Sequence, residues 1–184
     1  MRVRRCTIDS SCVIALDHLE LLPQLSVLFS VVLVPKAVRD ELSKRRATKD
    51  RLQRLFDRYD FFQRCDGYEK GTVDFLLAER TREGTQDRGE VEAAVQASEF
   101  GATVIVDDPW GRELAARYDL EYHGTLWVLQ RFHELDLLSS AAVRACFVSL
   151  HDRGIRLPWN AISEFLAQIG QRRLDLDNTS VGPA

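Results

Sequence analysis

Several common protein classes are excluded by what this chain does not contain. Its four cysteines, Cys6, Cys12, Cys65 and Cys146, form no CxxC pair and have no histidine nearby at zinc spacing. That removes a zinc finger and a disulfide scaffold and leaves reduced, mostly buried thiols in a cytoplasmic protein. No apolar run is long enough to cross a bilayer, and no charged-then-apolar leader opens the chain, so neither a membrane nor a secretory signal is expected. Neither sign of charge dominates: 25 Lys and Arg face 28 Asp and Glu, a net charge of −3. That balance counts against a simple DNA-binding module, although basic clusters occur at Arg2-Val3-Arg4-Arg5 and from Lys44-Arg45-Arg46 through Lys49 and Arg51. Internal repeats and low-complexity tracts are missing. The histidines (His18, His123, His133 and His151) are scattered, and none pairs with a serine or cysteine nucleophile.

What remains is a composition of 45% hydrophobic and 29% charged residues over 184 positions. It suits one soluble domain over residues 1–170 with a good core. Residues 3–8 read as a first strand and 11–22 as an apolar-periodic helix stopped near Pro23. The β-branched run at 30–34 has the character of a strand covered on both faces. Pro35 then suits the first turn of a helix reaching residue 46. Helices are expected around 52–59 and 73–82, with a loop at Cys65-Asp66-Gly67 and punctuation at 85–89. A strong helix at 90–100 closes at Gly101, followed by a buried strand at 102–106 and a helix at 109–118. A short strand at 120–123 and a helix at 125–138 complete the pattern. Strands alternating with helices imply right-handed βαβ units, hence a three-layer α/β/α fold with a central parallel sheet. Residues 138–170 read as a C-terminal helical extension packed on the same domain, and 171–184 as a frayed polar tail.

Open α/β sheets bind ligands beyond the carboxyl ends of their strands. Asp9 falls there on the first strand, in Thr7-Ile8-Asp9-Ser10-Ser11-Cys12, and Asp107 and Asp108 fall there on the strand at 102–106. Glu41 borders the buried stripe of its helix. Glu90 opens a helix whose Ala93, Ala94 and Ala97 allow close approach to the sheet; Glu92 lies on its other flank. Carboxylates gathered without basic partners repel one another, and a hard dication relieves that; oxygen-only ligation favours Mg²⁺ or Mn²⁺ over zinc. Each acid also has a purely structural role open to it. Asp9 could simply cap a helix, and Asp108 before Pro109 is a good N-cap. Asp87 with Glu90 matches a capping box, and Glu41 could pair with Arg45 at i,i+4. Other phosphate chemistries fit less well. An aspartate-nucleophile phosphatase wants a second aspartate at Ser11, a receiver domain wants one within residues 32–35, and a dinucleotide binder wants glycine at Asp9-Ser10-Ser11.

The order of TIDSSCVIAL, VPKAVRDEL, DRGEVEAAVQASEFGATVIVDD and HGTLWVLQRFHELDLL resembles the PIN-domain nucleases, most closely the branch of VapC-like toxins with a DSS start, a GExEA helix, an IxDD strand end and a GTL motif. The resemblance runs from about residue 6 to 138 and extends weakly to Gly154-Ile155-Arg156-Leu157 and the helix beyond. It implies that Asp9, Glu41, Glu90 and Asp108 are the catalytic acids. It also implies Mg²⁺ or Mn²⁺ held by Asp9, Glu90 and Asp108, with Asp107 as a further or competing ligand. Ser10 and Thr125 are implied as supporting residues, with Glu92 a weaker one. The reaction implied is cleavage of RNA. Arg4, Arg5, Lys44, Arg45, Arg46 and Arg112 are candidates to grip its backbone, and His123 to touch it. A toxin of this kind implies a small antitoxin, expected on the alternating basic and apolar surface of residues 39–62, and a homodimer. The rival is a degenerate PIN-like module that binds RNA or protein without cutting. Retention of four mutually repelling acids argues against it.

Overall fold

In the computed structural model, residues 4–45, 49–67, 69–82 and 88–174 are described. The start expected for the first strand at Val3, Arg46, the capping residue Asp87 and most of the polar tail lie outside them. The chain forms two compact units, residues 1–125 and 126–184.

The first unit is built on β1 (Arg5–Ile8), whose Cys6, Thr7 and Ile8 are fully buried. It is followed by α1 (Ser10–His18), the short α2 (Leu25–Leu28), β2 (Val31–Pro35), α3 (Lys36–Ser43) and α4 (Lys49–Arg58). Then come β3 (Phe62–Cys65), α5 (Lys70–Arg82), α6 (Arg88–Phe100), β4 (Thr103–Ile105), α7 (Pro109–Arg117) and β5 (Tyr122–His123). The five strands are all parallel, in the order β3-β2-β1-β4-β5, with helices on both faces: the expected three-layer α/β/α arrangement. Helix α6 lies along the sheet where small side chains present no bulk; Ala97 packs with Leu33, Val104 and Val106. Its other side meets Val73 and Leu76 of α5 and Leu114 of α7.

The second unit holds most of α8 (Thr125–Glu134), then α9 (Ser140–Asp152) and α10 (Trp159–Gln168). Ser139 caps α9 by accepting from the Ala142 N–H, and Phe147 meets Phe165 edge-on at 6.5 Å between ring centres. Among the described residues no helix is long and apolar enough to cross a membrane, and the four cysteines are free thiols.

Several boundaries depart from the sequence pattern, and α3 ends at Ser43 rather than residue 46. Helix α1 ends at His18 rather than residue 22, because Glu20 adopts a left-handed φ of 58° and turns the chain while Leu21 and Leu22 stay buried. Pro35 is the last residue of β2 and the N-cap of α3, not part of its first turn. Helix α8 stops at Glu134 instead of residue 138, since Asp136 has φ 58° and the Leu137 and Leu138 N–H groups turn back to the Phe132 carbonyl. Cys65, placed in a loop by its neighbours Asp66 and Gly67, instead ends the edge strand β3, which pairs with β2 from Val32↔Phe62 to Pro35↔Cys65.

Because Pro35 has no side-chain cap to offer, the start of α3 is satisfied from elsewhere. Glu92 of α6, only 1% exposed, accepts from the Ala37 N–H at 2.8 Å and from Arg88 Nε at 2.7 Å. An acid at a helix N-terminus meets both its unpaired donors and the positive end of its dipole. Glu92→Ala is expected to cost about 2–3 kcal/mol, mostly from the orphaned buried N–H. Glu92→Gln, which keeps an acceptor, is expected to cost about 1 kcal/mol. Urea unfolding of the two variants measures the difference, and equal losses would dismiss the cap.

Candidate active site

Strands β1 and β4 lie side by side in the register Ile8↔Ile105, and the ladder continues past β1 through the Asp9 N–H, which donates to the Ile105 carbonyl at 2.9 Å. This is where the strand order reverses direction, the crevice in which open α/β sheets place ligands. Asp9 is therefore set beside the Val106-Asp107-Asp108 turn, although almost a hundred residues separate them.

Asp9 is the N-cap of α1. One carboxylate oxygen accepts from the Ser11 N–H at 2.9 Å and from the Ser11 hydroxyl at 2.5 Å. The side chain is only 2% exposed. Burial raises its pKa above the ordinary carboxylate value; the Ser11 and Ser10 hydrogen bonds pull the other way, and the negative charge of Glu41 adds to the rise. Ser10 joins these two acids. Its hydroxyl donates to Glu41 Oε2 at 2.6 Å, and the same oxygen is 3.5 Å from Asp9 Oδ1. Glu41 is thus held toward Asp9 through Ser10.

Glu90 sits in the first turn of α6, where that helix passes both Asp9 and α7. A Cβ on Gly89 would lie 3.5 Å from Asp9 Oδ1, and one on Gly111 would lie 3.0 Å from Glu90 Cγ and 2.6 Å from Val106 Cγ2. At Gly111 the α7 backbone comes closer than a larger residue permits without a shift, whereas at Gly89 the approach to Asp9 is an ordinary contact. Asp108 caps α7 by accepting from Trp110 N–H at 2.8 Å and Gly111 N–H at 3.4 Å, both at Oδ1. The cap uses that one oxygen, and the residue also faces the cleft. Capping and site roles coexist.

The four acids Asp9, Glu41, Glu90 and Asp108 line one cleft, together with Ser10, Ser11, Asp40, Lys44, Arg88 and Gly89. Its volume of about 480 Å³ exceeds what six waters of a hydrated cation fill at roughly 30 Å³ each, leaving space for a phosphate group. Among the described residues no three Asp, Glu, His or Cys side chains close tightly enough to enclose an ion by themselves. The donor set still fits Mg²⁺ or Mn²⁺, since Mg²⁺ keeps several waters and takes only one or two carboxylates directly. Burial disfavours the ionised form of Asp9, a penalty that a cation bound beside it would offset.

Asp107 points elsewhere. It accepts from the Thr125 N–H at 2.9 Å and hydroxyl at 2.6 Å, and from the Cys12 thiol at 3.3 Å, with Arg112 Nη2 at 3.7 Å. Burial, then the charges of Asp107 and Asp9, raise the Cys12 pKa, so that sulfur keeps its proton to donate. Gly124 makes the contact possible: a Cβ there would come within 2.3 Å of Asp107 Oδ1 and of Arg112 Nη2. Asp107 is a clasp beneath the site and not a ligand lining it. Thr125 and Arg112 belong to the clasp. His123, which contacts Glu121 at 3.0 Å, does not line the cleft, nor does Glu92, whose carboxylate is used by Ala37 and Arg88. Arg88 and Asp40 are cleft residues that the sequence did not indicate. The one available signal was the i,i+4 spacing of Arg88 and Glu92.

A family model described as a PIN domain matches residues 5–171 of the chain. No curated protein gives a significant match.

A carboxyl whose folded pKa is raised adds stability below the ordinary value of 3.8 and loses it as the pH climbs through the raised value. In EDTA, the stability of the natural protein relative to Asp9→Asn is therefore expected to fall as the pH is taken upward from about 4. Urea titrations at several pH values read this directly. A flat difference would mean that burial does not govern Asp9.

Proposed function

We propose a function from one premise: this chain belongs to the PIN-domain family, whose fold is of nuclease type. The proposed activity is metal-dependent hydrolysis of RNA phosphodiester bonds, performed at the cleft of Asp9, Glu41, Glu90 and Asp108. What supports it is the convergence of those four side chains, drawn from four separate elements, on one opening that also carries Lys44 and Arg88. Gathered carboxylates repel one another, and a hard dication between them relieves that repulsion.

In this reading Asp9, Glu90 and Asp108 hold Mg²⁺ or Mn²⁺, and Glu41 completes the anionic wall. Such an ion supplies Lewis acidity, activating water and offsetting charge on the phosphoryl oxygens. The protein's part is orientation. Ser11 fixes the Asp9 carboxylate through two hydrogen bonds, Ser10 holds Glu41 toward it, and the α7 cap keeps Asp108 from rotating away. Lys44 and Arg88 suit the flanking phosphates. Further proposals are that the chain is the toxin of a type II toxin–antitoxin pair, that a small antitoxin protein blocks the cleft, and that the active form is a cytoplasmic homodimer. Copurification with the product of a neighbouring reading frame and arrest of growth on expression test the toxin role.

Cleavage of RNA in Mn²⁺ is expected to drop by about a hundredfold or more in Asp9→Asn, Glu90→Gln and Asp108→Asn, the scale of losing one electrostatic element of a site. A separate readout avoids dependence on the right RNA: Mn²⁺ is expected to raise the melting temperature of the natural protein and much less that of Asp9→Asn. A metal-induced shift without any cleavage would favour a binding module. Equal shifts in protein and variant would remove the metal from this cleft.

A further inference from the structure

Helix α4 carries a second feature suited to nucleic acid. Leu52 and Phe56 face inward and are buried, so its outer stripe is Arg51, Arg54, Leu55 and Arg58 at helical spacing. With Pro23, Asp57 and Tyr59 these residues line a groove of about 630 Å³. Arg51 is tied to the buried Asp17 of α1. Asp57 is engaged by Arg64 and Gln53. Arg58 lies over the Tyr59 ring at 5.6 Å, and Tyr59 is 5.8 Å from the tilted ring of Phe61. Arg54 has no carboxylate partner among the described residues.

We infer that this groove binds a stretch of single-stranded RNA, with Arg54 and Arg58 on its phosphates and the Arg58–Tyr59 face stacking against a base. Arginine cations beside an aromatic ring are the two components by which single strands are held without sequence preference. The groove lies toward the amino ends of the strands, since α1 runs back about 12 Å from Asp9 to Asp17, the anchor of Arg51, and Tyr59 precedes β3; an extended strand of several nucleotides spans that distance to the acidic cleft. The larger apolar residues of this segment, Leu42, Leu52, Phe56 and Phe62, are buried; what the groove offers is Leu55, Pro23 and the Tyr59 ring beside three arginines, a surface whose charge favours a polyanion.

The inference rests on the RNA-directed reading of the chain, and the test separates the two. Binding of a fluorescent single-stranded RNA of about 12 nucleotides is followed by anisotropy in EDTA, using Asp9→Asn as the uncut parent. Adding Arg54→Glu and Arg58→Glu together is expected to weaken binding on the order of tenfold and to flatten the log K against log salt slope by roughly 0.7 per arginine. Tyr59→Leu is expected to weaken binding with the salt slope unchanged, while Tyr59→Phe retains it. Thermal melting establishes that each variant is folded. Unaltered affinity and slope in the folded double variant overturn the groove, even if cleavage by the natural protein is robust. Weakened binding in that variant with no cleavage of any RNA would leave the groove standing and the nuclease reading refuted. Binding of poly-glutamate at the same arginines without competition from RNA would also overturn it, in favour of an acidic protein.

Discussion

One hydrogen bond carries much of this architecture: the Asp9 N–H to the Ile105 carbonyl, at 2.9 Å. It extends the β1–β4 ladder one residue past the end of β1. The first acid of the chain is thereby locked beside the turn that bears Asp107 and Asp108. Alternation along that turn then divides the labour. Asp108 faces the cleft and caps α7, whereas Asp107 turns under it and takes hydrogen from three groups. The clasp joins α1, the end of β4 and the start of α8, so the floor of the site is fixed by side chains that never face it.

A second level of control lies in α6. Its N-terminal turn supplies Glu90 and Arg88 to the cleft, and Glu92 reaches back to finish the start of α3. The orientation of α3 in turn presents Glu41 to Ser10. Local capping and long-range placement are the same contacts here. Structural and functional explanations of a given acid do not compete in such an arrangement, as Asp9 and Asp108 show.

The sheet was readable from the sequence because its central strands are continuous apolar runs, and the cleft acids because strand ends and helix starts are where such folds place them. Other features were not. The edge strand β3 buries only Phe62 and Cys65, three residues apart, so it lacks the two-residue period that marks a strand. Helix α1 appears longer than it is because Leu21 and Leu22 remain buried after Glu20 has turned the chain. Asp108 before Pro109 carries a local capping signal, but nothing local shows that Asp107 turns to Thr125, 18 residues downstream. Residues 39–62 alternate in sequence between basic and apolar types; in the fold Leu42, Leu52, Phe56 and Phe62 are buried, while Arg51, Arg54 and Arg58 face out beside a half-buried Leu55 and Tyr59.

The crowding at Gly111 and Gly124 bears on how any saturation mutagenesis of this chain should be interpreted. Neither glycine offers a functional group, yet a single added methyl meets Val106 or the Asp107–Arg112 contact well inside van der Waals separation. Replacement at either position forces a neighbour to move: Val106 at Gly111, the Asp107 and Arg112 side chains at Gly124. Intolerance to replacement will outline the neighbourhood of the cleft without identifying its chemistry; only isosteric exchanges that preserve shape, and alter charge alone, can tell the two apart.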